Sequence, residues 1–385
     1  MPVILEKQNS RKMKMRFSPT AAAAVLLALV VAGPDGSQAA GPALKSPLSV
    51  AMTLKTPSVG ASTTPDGRRF LVLARWDGSS GPQIVEWKSG ELSAYPDSAW
   101  NAWAPGKDPA LGFVHANAQR VGPEGDLWVV DVGAPGFGTK TLAHGPKLVE
   151  IDLSSNSVKR IYPLDGATMP ESYVNDVRFN GRTAYLTDSG RPALIVLDLN
   201  SGGSRRVLED AVSTRARRPL SGEGGVLRYP NGDPVFVHAD QLEVSPDRKF
   251  LYFQSASGPL YRIETRLMDD PGVSAARLSA GVELFARTGG TAGTAIDAEG
   301  NIYASDTDKL RILKIAPTGR ISTLVADPRL IWVDAMWIDD QGTLWMPATQ
   351  LNRAAFVNGG KSRVDPPFRI YTLEIGHRPP VEDHP

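Results

Sequence analysis

Along most of this chain, apolar residues fall at every second position, in short runs broken by turns rich in Asp, Pro and Gly. Period-two alternation buries one face of a strand, whereas a helix would repeat every 3.6 residues. One unit recurs six times: an alternating run, a turn, and a second apolar or aromatic run. The copies are GASTTPDGRRFLVLARWDG from Gly60, NAQRVGPEGDLWVVDVG from Asn117 and NDVRFNGRTAYLTDSG from Asn175. DQLEVSPDRKFLYFQSASG from Asp240, TAIDAEGNIYASDTD from Thr294 and DAMWIDDQGTLWMPAT from Asp334 follow. Each predicts a hairpin, with Gly67, Gly125, Gly181, Gly300 and Gly342 supplying positive φ at the reversal.

Between these copies lies a second hairpin pattern, as in QIVEWKSGELSAYP from Gln83 and RILKIAPTGRISTLV from Arg311. PLYRIETRLM and VELFAR read as one such pair split by an insertion. Two hairpins make a four-stranded unit of about 40 to 60 residues, which predicts an all-β, six-bladed β-propeller with four-stranded antiparallel blades. FRIYTLEI, from Phe368, has no partner downstream. The expectation is that SVAMTLK, residues 49–55, returns to complete the last blade and so protects its edge.

The first 40 residues follow another pattern. A basic run, RKMKMR, precedes an apolar run, AAAAVLLALVVAG, and the small residues SQAA. This order predicts a secretory signal peptide over residues 1–40 and a single propeller domain over residues 41–385. The apolar run is short for a membrane span, so no membrane attachment is expected after cleavage. The mature protein is expected to be secreted, extracellular or periplasmic, and monomeric.

Composition narrows the chemistry. With 42% hydrophobic and 22% charged residues the chain is expected to fold rather than remain disordered. A formal net charge of +1, with no run of one sign in the domain, argues against a nucleic-acid partner. The chain has no Cys, which excludes disulfides, thiol nucleophiles and Cys-ligated metals. No G-x-S-x-G elbow and no H-E-x-x-H pattern occurs.

Several stretches resemble the major royal jelly/yellow protein family. These are ARWDG (residues 74–78), AYPD (94–97), GDLWVVDVG (125–133), PKLVEIDL (146–153) and AYLTDSG (184–190). The missing cysteines fit a bacterial-type branch. The resemblance implies a six-bladed propeller, in a family that includes dopachrome-converting enzymes, nutritional proteins and amine binders. Arg75 belongs to its first-blade signature. More distantly, NAQRVGPEG, VNDVRFNG and HADQLEVSPD are similar to strands of gluconolactonase-like propellers. That likeness implies a divalent cation held by Asn117, Asn175 and Asp240. The Glu those lactonases contribute from the first blade is missing; Val59, Gly60 and Ser62 stand in that region.

Propeller geometry points to the same residues independently. Inner strands line the axis and their first residues share one mouth. Asn117, Asp240 and Asp334 each precede their turn by eight residues, and Asn175 by six, so four polar side chains converge on one opening. Oxygen donors of this kind suit Ca or Mg. His115 and His238 sit in matched VHAN and VHAD settings and are candidate proton-transfer residues beside Asn117 and the candidate base Asp240. Tyr173 and Trp337, with Arg75, are candidate walls for a small-molecule ligand. Two chemistries follow: hydrolysis of a lactone with a cation, or a metal-free tautomerisation of a dopachrome-like compound. A non-catalytic ligand-binding propeller is the third reading.

Overall fold

The computed structural model describes residues 47–76 and 79–385; the expected signal peptide, residues 1–40, lies outside the described residues. Six four-stranded antiparallel sheets follow one another along the chain, as blades of a β-propeller. Their inner strands are Ser58–Thr63, Ala116–Val121, Val174–Asn180, Ala239–Val244, Thr294–Ile296 and Trp337–Ile338. The five glycines expected at the inner turns all have positive φ, from 60° at Gly181 to 87° at Gly67. In the fourth blade that place is taken by Arg248, with φ 64°.

The N-terminal strand Ser49–Leu54 pairs antiparallel with Phe368–Glu374 and becomes the outermost strand of the sixth blade. The ring is therefore closed by both ends of the propeller domain, as the unpaired FRIYTLEI run required. The insertion in the fourth blade forms two short helices, Thr265–Asp269 and Ala275–Ala280, between Leu260–Glu264 and Glu283–Ala286.

Burial follows position within a blade. Second strands such as Leu127–Asp131 and Thr343–Ala348 are buried along their whole length, because neighbouring blades cover both faces. Outer strands such as Glu91–Ala94 are mainly exposed. Side chains including Phe70, Phe113, Phe253 and Tyr303 are fully sealed from solvent. Burial of each contributes about 1.5–3 kcal/mol.

Within the axial channel, Arg178 makes a bidentate contact with Glu243 at 2.8 and 2.9 Å, and Thr294 Oγ1 donates to the same carboxylate at 2.7 Å. Beside them, Arg120 pairs with Asp383 at 2.5 Å. The residues that follow the last strand turn in here. His384 stacks on Trp337 with ring centroids 3.7 Å apart, and its Nε2 lies 2.8 Å from the Ile338 carbonyl oxygen. This layer fills the channel beneath the mouth where the inner strands begin. No helix among the described residues is long and apolar enough to cross a membrane.

Candidate functional site

Where the inner strands begin, four of them share one irregularity. The pairing register slips at Val59 in the first blade and at Asn117 in the second. It slips across Asn175–Asp176 in the third and Asp240–Gln241 in the fourth. A β-bulge adds a residue to one strand and re-aims the side chain there. At these bulges Val59, Asn117, Asn175 and Asp240 line one cavity of about 360 Å³. Asp334, just ahead of the sixth inner strand, lines it too. The structure thus brings together the four polar residues that the repeat had aligned.

Hydrogen bonds fix part of this ring. The Tyr173 hydroxyl donates to Asn117 Oδ1 at 2.9 Å, and Asn117 Nδ2 donates to the Asn175 carbonyl oxygen at 2.9 Å. Asn175 Nδ2 in turn donates to Ser189 Oγ at 3.3 Å. Asp334 Oδ1 accepts from the Ala335 N–H at 3.0 Å. Among the described residues, no Lys, Arg or His forms an ion pair with Asp240 or Asp334.

Both residues line the cavity and are partly accessible. Burial pushes the Asp334 carboxyl up to about 8 against the pull of the Ala335 N–H, and Asp176 adds repulsion. Burial also raises Asp240 well above the carboxylate range, with the Asp334 and Asp176 charges acting the same way. The Tyr173 phenol rises for the same reasons: burial first, then Asp334 and Asp240. Two acids crowded into a poorly solvated ring favour a shared proton or a bound cation.

The matched histidines part company. His115 lines the cavity, 6% exposed, and its Nδ1 has no hydrogen-bond partner. Burial lowers its pKa, favouring the neutral ring. His238 does not line the cavity; its Nδ1 accepts from the Ala216 N–H at 3.0 Å and its own N–H donates to the Ser189 carbonyl at 3.0 Å. The strands start at Ala116 and Ala239, so each histidine lies just ahead of its strand rather than on a strand face with Asn117 or Asp240. Trp337 also lies away from the cavity. It is 2% exposed, stacked on His384, and donates from Nε1 to Thr63 Oγ1 at 3.1 Å. Its large ring is spent on the channel filling rather than on a ligand wall. Tyr173 and Arg75 do line the cavity.

Three loops roof the site. Residues 133–146 bring Phe137, residues 209–238 bring Tyr229 and Phe236, and residues 349–367 bring Leu351 and Phe356. Ring centroids lie 4.9 Å apart for Phe137 and Phe356, 5.4 Å for Phe137 and Tyr173, and 5.9 Å for Trp76 and Phe356. Sequence periodicity had no way to find these rings, since they sit in irregular loops. The second and third loops are tied by the Glu223 carboxylate, which accepts from Arg353 at 2.6 and 2.9 Å and from Asn352 at 2.7 Å. His144, from the first loop, is exposed and faces Asp165 instead.

A separate group, Asp297, Glu299 and His377, has ligand atoms within 4.8 Å of one another, close enough to coordinate a metal. Asp297 and Glu299 belong to the turn after the fifth inner strand, at the opposite end of that strand from the cavity, and His377 follows the last strand. The Asp297 carboxylate is already engaged by Asn301 and Tyr303.

The fold is similar to that of a gluconolactonase from Xanthomonas campestris, with a TM-score of 0.51, 13% identity and coverage of 85% of this chain and 89% of that one. It is also similar to a luciferin-regenerating enzyme, with a TM-score of 0.52, 12% identity and coverage of 86% and 96%. At such identities the likeness speaks to the propeller fold alone. No curated protein matches the chain in sequence. The sequence pattern of the major royal jelly protein family matches residues 119–377, well over half of the chain, with four of its six inner strands whole and part of a fifth, so the chain belongs to that family.

Proposed function

We propose that the axial cavity holds a divalent cation and hydrolyses a small lactone-like ester. The observation that carries this reading is the pair Asp240 and Asp334, two carboxylates that face the cavity with no cationic partner. With the amide oxygens of Asn117 and Asn175 they make an all-oxygen donor set, which fits Ca or Mg and suits zinc poorly. When bound, such a cation supplies Lewis-acid polarisation of a carbonyl oxygen. Asp240 then serves as general base. It takes a proton from water as the water oxygen adds to the carbonyl carbon, and returns it to the alkoxide released when the ring C–O bond breaks. The Tyr173 hydroxyl orients the Asn117 amide. The loops over the mouth limit access of bulk water. Export of the mature protein belongs to the same proposal and rests on the signal-like residues 11–40.

Titration of metal-stripped protein with Ca and Mg tests the site, with Asp240→Asn and Asp334→Asn alongside. Lactone turnover should vanish with chelator and in Asp240→Asn. Full hydrolysis in a metal-free sample would sink the mechanism.

A second reading is supported by His115, whose burial favours the neutral ring, lining the same cavity as the Asp334 carboxyl that burial pushes up to about 8. Such a set suits proton transfer in a dopachrome-like tautomerisation without metal. Accelerated dopachrome decay insensitive to chelator would favour it. Ligand-dependent thermal stabilisation without turnover of either compound would favour a binding protein.

A further inference from the structure

Arg75 is the one charge of the inner cavity wall with the sign opposite to the acidic ring. It lines the cavity, is partly buried, and makes no hydrogen bond or ion pair among the described residues. Burial depresses its basicity, and no anion among the described residues offsets the cost. A guanidinium carries five donors in a planar fork suited to a carboxylate. Leaving it desolvated and unpaired is costly unless another molecule completes it. Behind the same wall, Trp76 Nε1 and His115 Nδ1 are buried and have no hydrogen-bond partner among the described residues. His115 as a whole is 6% exposed. The other charged lining residues, Lys140 and Glu171, lie on the exposed rim, where water screens them.

The body of the cavity has the opposite character. Trp76, Phe356, Phe137 and Tyr173 follow one another with centroid spacings of 5.9, 4.9 and 5.4 Å, and Tyr229 stands 6.5 Å from Phe137. Linked rings of this kind favour a flat ligand that packs against their faces and edges.

We infer that the ligand of this cavity is an aromatic carboxylate, its acid group held by Arg75 and its ring lodged among Trp76, Phe137, Phe356 and Tyr229. This deepens the proposed function and rests on its reading of the cavity as a small-molecule site. The acid group and the acidic ring then divide the cavity: the anion anchors the ligand at the first-blade wall, and the rest of the ligand reaches toward Asp240 and Asp334.

Binding of 2-naphthoate, its uncharged methyl ester and 2-naphthylmethylamine to the whole protein tests this, by calorimetry or Tyr and Trp fluorescence. The acid should bind the native protein more tightly than the ester, and the ester more tightly than the amine. Arg75→Gln should weaken the acid about 10- to 100-fold, the loss of a charge-assisted hydrogen bond, and leave the ester within about twofold. Arg75→Lys should recover part of the difference. Equal weakening of acid and ester, or no preference for the acid in the native protein, overturns the inference. Calcium titration of the same samples reads the acidic ring separately. Lost acid selectivity with calcium binding intact overturns the anion pocket alone; selectivity without calcium binding overturns the cation reading alone. Unchanged calcium binding in Arg75→Gln also shows that the variant is folded.

Discussion

Asp131 and Lys147 form an ion pair of 2.6 Å in which both side chains are sealed from solvent. The same carboxylate accepts from the N–H groups of Val114, His115 and Gly133 at 2.8 to 2.9 Å. It therefore grips the backbone two residues ahead of Asn117. The third blade repeats the device: Asp188 accepts from the Tyr173 N–H at 2.9 Å, two residues ahead of Asn175, and is neutralised by Arg206 at 2.8 Å. Acids at the ends of the second strands thus set the positions of the site amides through the backbone.

Lys147→Met should expose the worth of that brace. It leaves a buried carboxylate without its cation, which costs about 3–5 kcal/mol. Chemical denaturation is expected to show a loss of this size, and any cation affinity at Asn117 should fall with it. A loss under about 1 kcal/mol would mean that the three backbone donors stabilise Asp131 without help.

The acidic ring makes stability depend on pH. Burial pushes the folded Asp334 carboxyl up to about 8, against about 4 for an ordinary aspartate, and raises Asp240 as well. Between those values the folded protein keeps a proton that the unfolded chain has released. Stability of the metal-stripped protein should therefore decline as pH rises from about 4 to about 8, then level off. Acids held low by cations, such as Asp383 beside Arg120, give the opposite trend, but in a more acidic range. The comparison that isolates the effect is native protein minus Asp334→Asn. Calcium binds the ionised form, so saturating calcium should flatten the decline. A native-minus-variant difference independent of pH would place the Asp334 carboxyl near its ordinary value.

Much of this was legible in the chain, and the reasons are physical. Blades showed because strand alternation and turn glycines act locally, as at Gly125 and Gly342. Asn117, Asn175, Asp240 and Asp334 showed because equivalent places in a repeat occupy equivalent places around the axis. The two histidines looked equivalent for the same reason, yet the Ala216 N–H captures His238 while His115 keeps a free Nδ1. That difference comes from the loop of residues 209–238, which carries Ala216 onto His238; the loop of residues 95–115 ahead of the second blade brings no such donor to His115 among the described residues. Phe137, Tyr229 and Phe356 were illegible because only tertiary contacts bring their loops together. The stacking of His384 under Trp337 was hidden likewise, since nothing local in RPPVEDHP directs it into the channel.

The tie between the two roof loops predicts a kinetic effect rather than a large energetic one. Glu223 and Arg353 are both partly exposed, with side-chain exposures of 27% and 22%. Glu223→Ala should cost only about 1 kcal/mol or less in unfolding. The loops would still lose their link, so ligand should enter and leave faster while its Kd changes little. Stopped-flow binding of a fluorescent cavity ligand checks this. Unchanged rates would show that these loops do not gate the mouth.

Val59 offers the sharpest test of the acidic ring. It lies at the same kind of bulge as Asn117, Asn175 and Asp240, lines the same cavity, and is the only apolar member of that set. Val59→Glu should therefore aim a third carboxylate at the ring. Without cation this adds a buried negative charge to two existing acids, and stability should fall by about 1–3 kcal/mol. With saturating calcium the loss should be recovered, and calcium affinity should exceed that of the native protein, because added carboxylate ligands strengthen hard-cation sites. Calorimetry and thermal unfolding in chelator and in calcium read both effects. Destabilisation that calcium does not relieve would mean that the first-blade bulge does not direct its side chain to where Asp240 and Asp334 meet.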